Sequence, residues 1–207
     1  MPRRSRAARF GLLLAPGASA GRDQPALVAI DAAASAAGVA VRRMEFAYHR
    51  EGRRAPDRAE VLMAEVANEA AALAEEAGLR PEEVVLGGRS MGGRICSMAA
   101  AGGLATAGLV LVSYPLHPPG RPERLRTEHF AQLTMPCLFV SGSKDAFGTP
   151  EELRTALGSI PGPVSVQWLE GGDHGLRRRD GEVAGLVVSW LAAREGLRLG
   201  GARGTRA

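Results

Sequence analysis

Six short segments with strand-forming character alternate with longer segments of helical character, and this alternation most constrains the fold. The strand segments cover residues 9–15, 39–48, 83–86, 108–113, 136–141 and 164–169. Several are apolar throughout, as in GLVLVS and PCLFVS, which is typical of strands buried on both faces of a sheet. Such strands need helices on both sides, so the sequence predicts a three-layer α/β/α fold with a mostly parallel sheet of about six strands.

Capping residues set the expected ends of the helices. Asp23 is the expected N-cap of a helix over residues 23–37. Asp57 and Glu60 form the expected capping pair of the next helix, which Gly78 ends. Gly196 is expected to end the closing helix.

The chain has 207 residues, which fits one domain. We expect a basic N-terminal tail over residues 1–8, one domain over 9–195 and a flexible tail over 196–207.

The basic residues behind the net charge of +4 concentrate in the two tails, and the part between them is slightly acidic. The domain therefore offers no basic face for a phosphate backbone, and its 4% aromatic content offers little for base stacking. Nucleic acid is not an expected partner.

The first 20 residues have two interpretations. Their basic start, short apolar run and Ala-Ser-Ala sequence outline a secretory signal, but Pro16 and Gly17 interrupt the apolar run, which favours a buried strand and a turn. No apolar run approaches the ~18 residues of a membrane span, so no membrane association is expected. Cys96 and Cys137 are too few for a disulfide framework or a zinc site and are interpreted as small buried residues. These features predict a cytoplasmic protein without a metal ion or cofactor.

Polar side chains follow the strands at the edge where a parallel sheet binds ligands. Ser90 lies in GRSMG, a G-x-S-x-G pattern between an expected strand and an expected helix, which is the setting of a nucleophile elbow. A glycine-rich turn capped by serine, or a phosphate-binding loop, would look similar, although the Gly-Lys-Ser/Thr of the Walker loop is missing. His174 follows the sixth strand and is the candidate general base. Asp145, after the fifth strand, is the candidate acid; the rival Asp173 would need an unusual bend to reach the ring of its neighbour.

Five segments carry a resemblance to a known family: LLLAPGAS at 12–19, GGRSMGGR at 87–94, SYPLHPPG at 113–120, SGSKDAFG at 141–148 and GGDHGL at 171–176. The chain resembles the α/β-hydrolases, in particular the dienelactone-hydrolase-like branch. It is most similar to a small predicted-hydrolase family that includes a testis-expressed protein and a regulatory subunit of a chromatin acetyltransferase complex. The resemblance implies that Ser90, His174 and Asp145 are nucleophile, base and acid, and that the backbone N–H groups of Met91 and Ala18 form an oxyanion hole. Pro16 stands where relatives often have histidine.

The connection between the fourth and fifth strands, residues 115–135, is too short for a cap domain and holds at most one short helix over 123–132. We therefore expect a minimal hydrolase fold without a cap, and an exposed or shallow site for a small acyl substrate. Arg89, beside the nucleophile, fits either attraction of an acidic substrate or a structural or solvent-facing charge. The residues expected to contact substrate are Gly17, Arg89, Tyr114, Leu116, His117 and Phe147.

These features predict a serine hydrolase that cleaves a carboxylic ester or thioester through an acyl-enzyme intermediate. Two alternatives stay open. One is a non-catalytic module of the same fold that binds a protein partner, although no feature of the sequence indicates such a partner. The other is an acyltransferase or peptidase that uses the same three residues.

Overall fold

Six strands and six α-helices alternate along residues 10–201, the part of the chain that the computed structural model describes, with side chains as far as residue 194. The strands are β1 (Gly11–Ala15), β2 (Ala40–Arg43), β3 (Val84–Arg89), β4 (Gly108–Val112), β5 (Cys137–Gly142) and β6 (Val164–Leu169). The helices are α1 (Pro25–Ala36), α2 (Ala47–Arg50), α3 (Ala59–Ala77), α4 (Met91–Ala101), α5 (Pro150–Leu157) and α6 (Asp180–Gly201). Short 3₁₀ turns cover Pro81–Glu83 and Phe130–Gln132.

All six strands run parallel, in the order β2-β1-β3-β4-β5-β6. Each face of the sheet has its own apolar core because successive side chains of a strand point to opposite faces. Leu12 and Leu14 of β1 belong to the core that α1 and α6 cover, whereas Leu13 belongs to the core on the other face, which α3, α4 and α5 cover. This arrangement confirms the predicted three-layer α/β/α fold with a six-stranded parallel sheet.

The strand order reverses beside β1. After β1 the chain moves outward to β2, and it then returns to place β3 on the other side of β1. Loops that leave such a switch point at the carboxyl ends of the strands diverge, which opens a crevice for ligands. The loop over residues 16–19, after β1, and the turn at Ser90, after β3, flank this crevice.

The second strand is much shorter than the predicted segment 39–48. Because β2 is an edge strand, only β1 can pair with it, and the pairing stops at Leu14 and Arg43. The next residues form the helical turn α2, which buries Tyr48 completely. The Tyr48 hydroxyl donates a hydrogen bond of 2.7 Å to the carbonyl oxygen of Ala18, so this turn supports the loop after β1.

Two of the predicted N-caps are wrong because their carboxylates pair with arginines. Helix α1 begins at Pro25, and the carboxylate of Asp23 instead accepts a hydrogen bond of 2.7 Å from Arg43. Helix α3 begins at Ala59, and Asp57 pairs with Arg53 instead of capping it with Glu60. The predicted end of α3 is confirmed, since Gly78 adopts the left-handed conformation with φ of 64°.

The last helix continues past Gly196, its predicted end, as far as Gly201. A glycine inside a helix costs only ~1 kcal/mol, and the leucine and arginine residues that follow it are good helix formers. Part of the predicted flexible tail is therefore helical. The predicted basic tail, residues 1–8, and residues 202–207 lie outside the described residues.

The connection between β4 and β5 carries no inserted domain, which confirms a fold without a cap. Its predicted helix over 123–132 is wrong, because only the turn Phe130–Gln132 is helical. The backbone N–H of Arg126 donates to Leu116, and the carbonyl oxygen of Arg126 accepts from the Tyr114 hydroxyl, so neither group is free for helical bonding. Within residues 10–201, no helix is both long enough and apolar enough to cross a lipid bilayer.

Candidate active site

Ser90 lies at a strained turn between β3 and α4. Its φ of 52° and ψ of −119° are unusual for a residue with a side chain, and such strain concentrates at functional sites. The Ser90 N–H donates a hydrogen bond of 2.8 Å to Val112 of the neighbouring strand β4, which fixes the turn against the sheet. The hydroxyl is therefore held at the carboxyl edge of the sheet, at the start of α4.

Glycines around Ser90 allow two backbones to approach each other closely. A Cβ atom on Gly88 would lie 2.6 Å from the carbonyl oxygen of Ala15, and one on Gly92 would overlap the same carbonyl group. A larger residue at Gly92 would push α4 away from β1, and one at Gly88 would push β3 away from both of them. The G-x-S-x-G pattern therefore has a packing reason in this fold.

The structure brings Ser90, His174 and Asp145 together from three separate loops. The Ser90 Oγ atom lies 2.9 Å from Nε2 of His174. The Nδ1 atom of the same ring lies 2.8 Å from Oδ2 and 3.0 Å from Oδ1 of Asp145. The side chain of Asp145 is only 2% exposed, whereas Asp173, the rival acid, is exposed to solvent. Because a carboxylate only accepts hydrogen bonds, Nδ1 carries the proton and Nε2 is free to accept one from the serine.

Neighbouring groups hold the imidazole in place. The Phe147 ring stacks on the His174 ring with centroids 3.9 Å apart. The Phe147 N–H donates a hydrogen bond of 2.8 Å to Oδ1 of Asp145, which orients the carboxylate. The guanidinium of Arg89 donates a hydrogen bond of 2.7 Å to the carbonyl oxygen of His174.

Arg89 is half-buried and forms no ion pair within the part of the chain that the structure describes. Its side chain lines the pocket in front of Ser90 and supports the His174 loop. Burial lowers the pKa of Arg89, and the negative charges of nearby aspartates, Asp145 first, oppose this shift. The hydrogen bond of Arg89 therefore supports the backbone of the loop that carries His174.

The loop after β1 faces the same pocket. Gly17 donates its N–H to Oε1 of Gln24 at 3.1 Å, so this N–H is already used inside the protein. The Ala18 carbonyl oxygen is held by Tyr48, which fixes the plane of the peptide that follows Ala18. Met91 is the first residue of α4, and the first N–H groups of a helix have no acceptor within that helix.

A pocket of about 420 Å³ opens in front of Ser90. Several of the residues that the sequence indicated line it, among them Gly17, Ala18, Arg89, Met91 and Phe147. The remaining residues of the lining were not predicted as site residues from the sequence: Ser19, Gln24, Arg94, Pro115 and Arg126. Arg94 had a detectable signal, since it follows Ser90 by four residues on the same helix and so lies on the same face. Ser19 and Pro115 lie in segments that the sequence had singled out, next to Ala18 and Tyr114. Gln24 and Arg126 had no signal, because only the tertiary fold brings them here.

Tyr114, Leu116 and His117, expected as walls, do not line this pocket. Tyr114 is 2% exposed and packs against the Phe130 and Phe139 rings, with centroids 5.3 Å and 5.8 Å away. His117 is 4% exposed and lies 3.4 Å from a carboxylate oxygen of Glu152. The His117 N–H donates to the Phe147 carbonyl oxygen, so the contribution of His117 to the site is indirect.

Both cysteines are buried free thiols, as the sequence predicts. Burial raises the pKa of Cys96 and of Cys137 to about 12, so both thiols are inert at neutral pH. Among the described residues, no three His, Cys, Asp or Glu side chains form a group that could hold a metal ion.

Comparison with known proteins identifies the family. Residues 8–188 match the sequence profile of a family described as an alpha/beta hydrolase domain. The chain belongs to this alpha/beta hydrolase family. Solved structures of the same fold include an alpha-beta serine hydrolase homologue from Coxiella burnetii, which is 18% identical with a TM-score of 0.73 over 88% of this chain and 85% of that one.

Two further alpha/beta hydrolase structures are similar at the level of fold. A dienelactone hydrolase from Anabaena variabilis is 17% identical, with a TM-score of 0.72 over 91% of this chain and 88% of that chain. The esterase domain of a Rhodothermus marinus protein is 15% identical, with a TM-score of 0.69 over 91% of this chain and 88% of that chain. At these identities the likeness shows a shared fold, and the family membership together with such neighbours supports hydrolase activity.

Proposed function

We propose that this protein is a serine hydrolase that cleaves carboxylic esters or thioesters, with Ser90 as nucleophile, His174 as general base and Asp145 as the acid that orients the base. One observation carries the proposal: the Ser90 hydroxyl lies 2.9 Å from an imidazole that is itself 2.8 Å from a buried carboxylate. A surface serine rarely meets such a chain of partners by accident, because each link depends on a different loop. Esterase and dienelactone hydrolase neighbours support the same reaction class.

In the proposed reaction, the Ser90 oxygen attacks the acyl carbon while His174 Nε2 takes the hydroxyl proton. The tetrahedral intermediate collapses when the imidazolium returns this proton to the departing alcohol or thiol. Water then attacks the acyl-serine with His174 again as base, which releases the carboxylic acid and restores the serine. Asp145 stays ionised throughout and stabilises the imidazolium.

We assign the oxyanion hole to the backbone N–H groups of Met91 and Ala18. Met91 opens α4, so its N–H lies at the positive end of the helix dipole. Gly17 lines the same pocket, but its N–H is already bonded to Gln24, so we assign the donor from this loop to the next residue, Ala18. A backbone donor does not depend on the side chain at position 16, so proline there is compatible with the hole.

The proposal is tested by hydrolysis of p-nitrophenyl esters with two- to eight-carbon acyl chains, alongside thioesters of the same acids. We expect saturable turnover by the wild type, loss of at least ~10³-fold in kcat/KM for Ser90→Ala, and little change for the exposed serine control Ser159→Ala. The ratio of ester to thioester rates identifies the preferred bond. Failure of a folded protein to hydrolyse any of these compounds would reject the proposal and favour the non-catalytic binding module.

A further inference from the structure

Arg94 projects from the nucleophile helix into the candidate active site. It follows Ser90 by one turn of α4, about 6 Å along the helix axis, and it lines the pocket in front of the serine. Its Nε atom is buried and has no hydrogen-bond partner within the described residues. A buried, unpartnered guanidinium N–H is costly unless something else accepts from it.

A second arginine lines the same pocket from a different segment of the chain. Arg126 belongs to the connection between β4 and β5, and it too lines the pocket in front of Ser90. The Tyr114 hydroxyl donates a hydrogen bond of 2.6 Å to the Arg126 carbonyl oxygen, and the Arg126 N–H donates to Leu116 at 2.8 Å. The aromatic core therefore fixes the backbone that carries this guanidinium.

A hydrogen-bonded link joins the two segments that carry the arginines. The Ser97 hydroxyl donates to the Arg94 carbonyl oxygen at 2.8 Å, and it lies 2.8 Å from Nε2 of His129. Because the hydroxyl proton is used on the carbonyl, His129 Nε2 carries the proton of the second bond. This link holds the Arg126 segment against the turn of α4 that presents Arg94.

The two guanidiniums lack a matching negative charge. Within residues 10–194, neither Arg94 nor Arg126 forms an ion pair with a carboxylate. Burial lowers the pKa of Arg126 and the charge of Arg94 lowers it further, which shows that the two cations oppose each other. Glu128 acts in the other direction, but it is exposed and its effect is the smallest of those that act on Arg126. A bound anion would relieve this repulsion.

We propose that Arg94 and Arg126 bind an anionic group, a carboxylate or a phosphate, at the far end of the acyl substrate. The inference rests on the proposed function and names its substrate class: an ester or thioester whose acyl chain ends in a negative charge. Guanidinium groups suit both anions because they donate two parallel hydrogen bonds. Both guanidiniums line the pocket that contains Ser90, so an anion at the far end of an acyl chain can reach them, as in a half-ester of a six-carbon dicarboxylic acid.

The test compares three ethyl esters with six-carbon acyl chains: monoethyl adipate, ethyl 6-(phosphonooxy)hexanoate and the uncharged ethyl hexanoate. Release of ethanol gives kcat/KM for each ester. We expect the wild type to prefer at least one charged ester, and the preferred one separates carboxylate from phosphate recognition. Arg94→Gln and Arg126→Gln should each lower the ratio of kcat/KM for the charged ester over ethyl hexanoate by ~10- to 100-fold. Arg121→Gln, an exposed arginine of the same connection, should leave the ratio unchanged.

Failure of this inference is separable from failure of the proposed function. If ethyl hexanoate is hydrolysed through Ser90 but neither arginine variant changes the ratio, the anion site is wrong and the hydrolase stands. Calorimetric binding of monoethyl adipate and of the phosphate ester to Ser90→Ala gives a readout without turnover, and Arg126→Gln in that background should weaken binding by ~10-fold or more. Equal binding with and without Arg126 overturns the inference. Should Arg94→Gln not fold, Arg126→Gln decides alone.

Discussion

The change Asp145→Asn isolates the role of the buried carboxylate. In the wild type, Oδ1 of Asp145 accepts the Phe147 N–H at 2.8 Å, and Oδ2 lies 2.8 Å from Nδ1 of His174. An asparagine keeps its oxygen on the Phe147 N–H, because only the oxygen accepts, and this choice turns its NH₂ group toward Nδ1. An N–H on Nδ1 would oppose this NH₂ group, which favours the tautomer with its proton on Nε2. That atom faces Ser90 and then no longer accepts from the hydroxyl.

Two losses set the size of the effect. The bond between a carboxylate and the imidazolium of the transition state contributes about 1.5–3 kcal/mol, as hydrogen bonds to charged groups do. Shifting the proton to the other ring nitrogen, or leaving two N–H groups opposed in a buried site, costs about 1–3 kcal/mol more. We therefore expect kcat/KM to fall by about 10²- to 10⁴-fold, which corresponds to roughly 2.5–6 kcal/mol.

The assay is steady-state hydrolysis of the best p-nitrophenyl ester, with circular dichroism to show that Asp145→Asn is folded. The matched control is Asp173→Asn, which removes an exposed carboxylate directly beside His174. We expect this control to stay within ~2-fold of the wild type. Retention of more than a tenth of the activity by Asp145→Asn, or an equal loss in Asp173→Asn, would refute the reasoning.

Three further changes test other parts of the account. Gly92→Ala inserts a Cβ atom into the Ala15 carbonyl and should lower the free energy of unfolding by ~1–3 kcal/mol in urea titrations; an unchanged midpoint contradicts the packing argument. Arg89→Gln removes the hydrogen bond to the His174 carbonyl and should lower kcat/KM about 10-fold for charged and uncharged esters alike; an effect confined to the charged ester would assign Arg89 to substrate binding instead. Burial lowers the pKa of His129 from 6.5 to about 4. As the pH drops from 6.5 toward 4, the unfolded chain therefore binds the proton first, and the free energy of unfolding falls. The variant His129→Gln should lose less stability than the wild type over this interval, and an equal loss excludes the mechanism.

The sequence predicted those site residues whose positions depend on the local turn or on the order of the strands. The glycines near Ser90 permit the close contact of α4 with β1, so the G-x-S-x-G pattern predicts the turn at Ser90. Asp145 and His174 follow strands of a parallel sheet, and parallel strands bring their carboxyl ends to one edge. Topology alone therefore indicated these positions before any distance was known.

The direction of side chains after a strand was not predictable in the same way. Tyr114 comes just after β4, but Ser113 turns the chain with φ of 49°, and the tyrosine ring enters the core instead of the pocket. The meeting of Arg94 with Arg126 depends on how residues 115–135 fold back, which no periodicity encodes. The helix N-caps were not predictable because two partners compete for one carboxylate. Asp23 has the sequence position of an N-cap, but its carboxylate binds Arg43 of the edge strand instead.

The central claim is that the Ser90 oxygen is a nucleophile activated by His174. A fluorophosphonate probe tests it most directly, because it reacts only with an activated serine and leaves an adduct that mass spectrometry assigns to one residue. We predict stoichiometric modification of Ser90 in the wild type, none in Ser90→Ala and strongly slowed modification in His174→Ala. A folded wild-type protein that stays unmodified, or an adduct on any other residue, would contradict the claim.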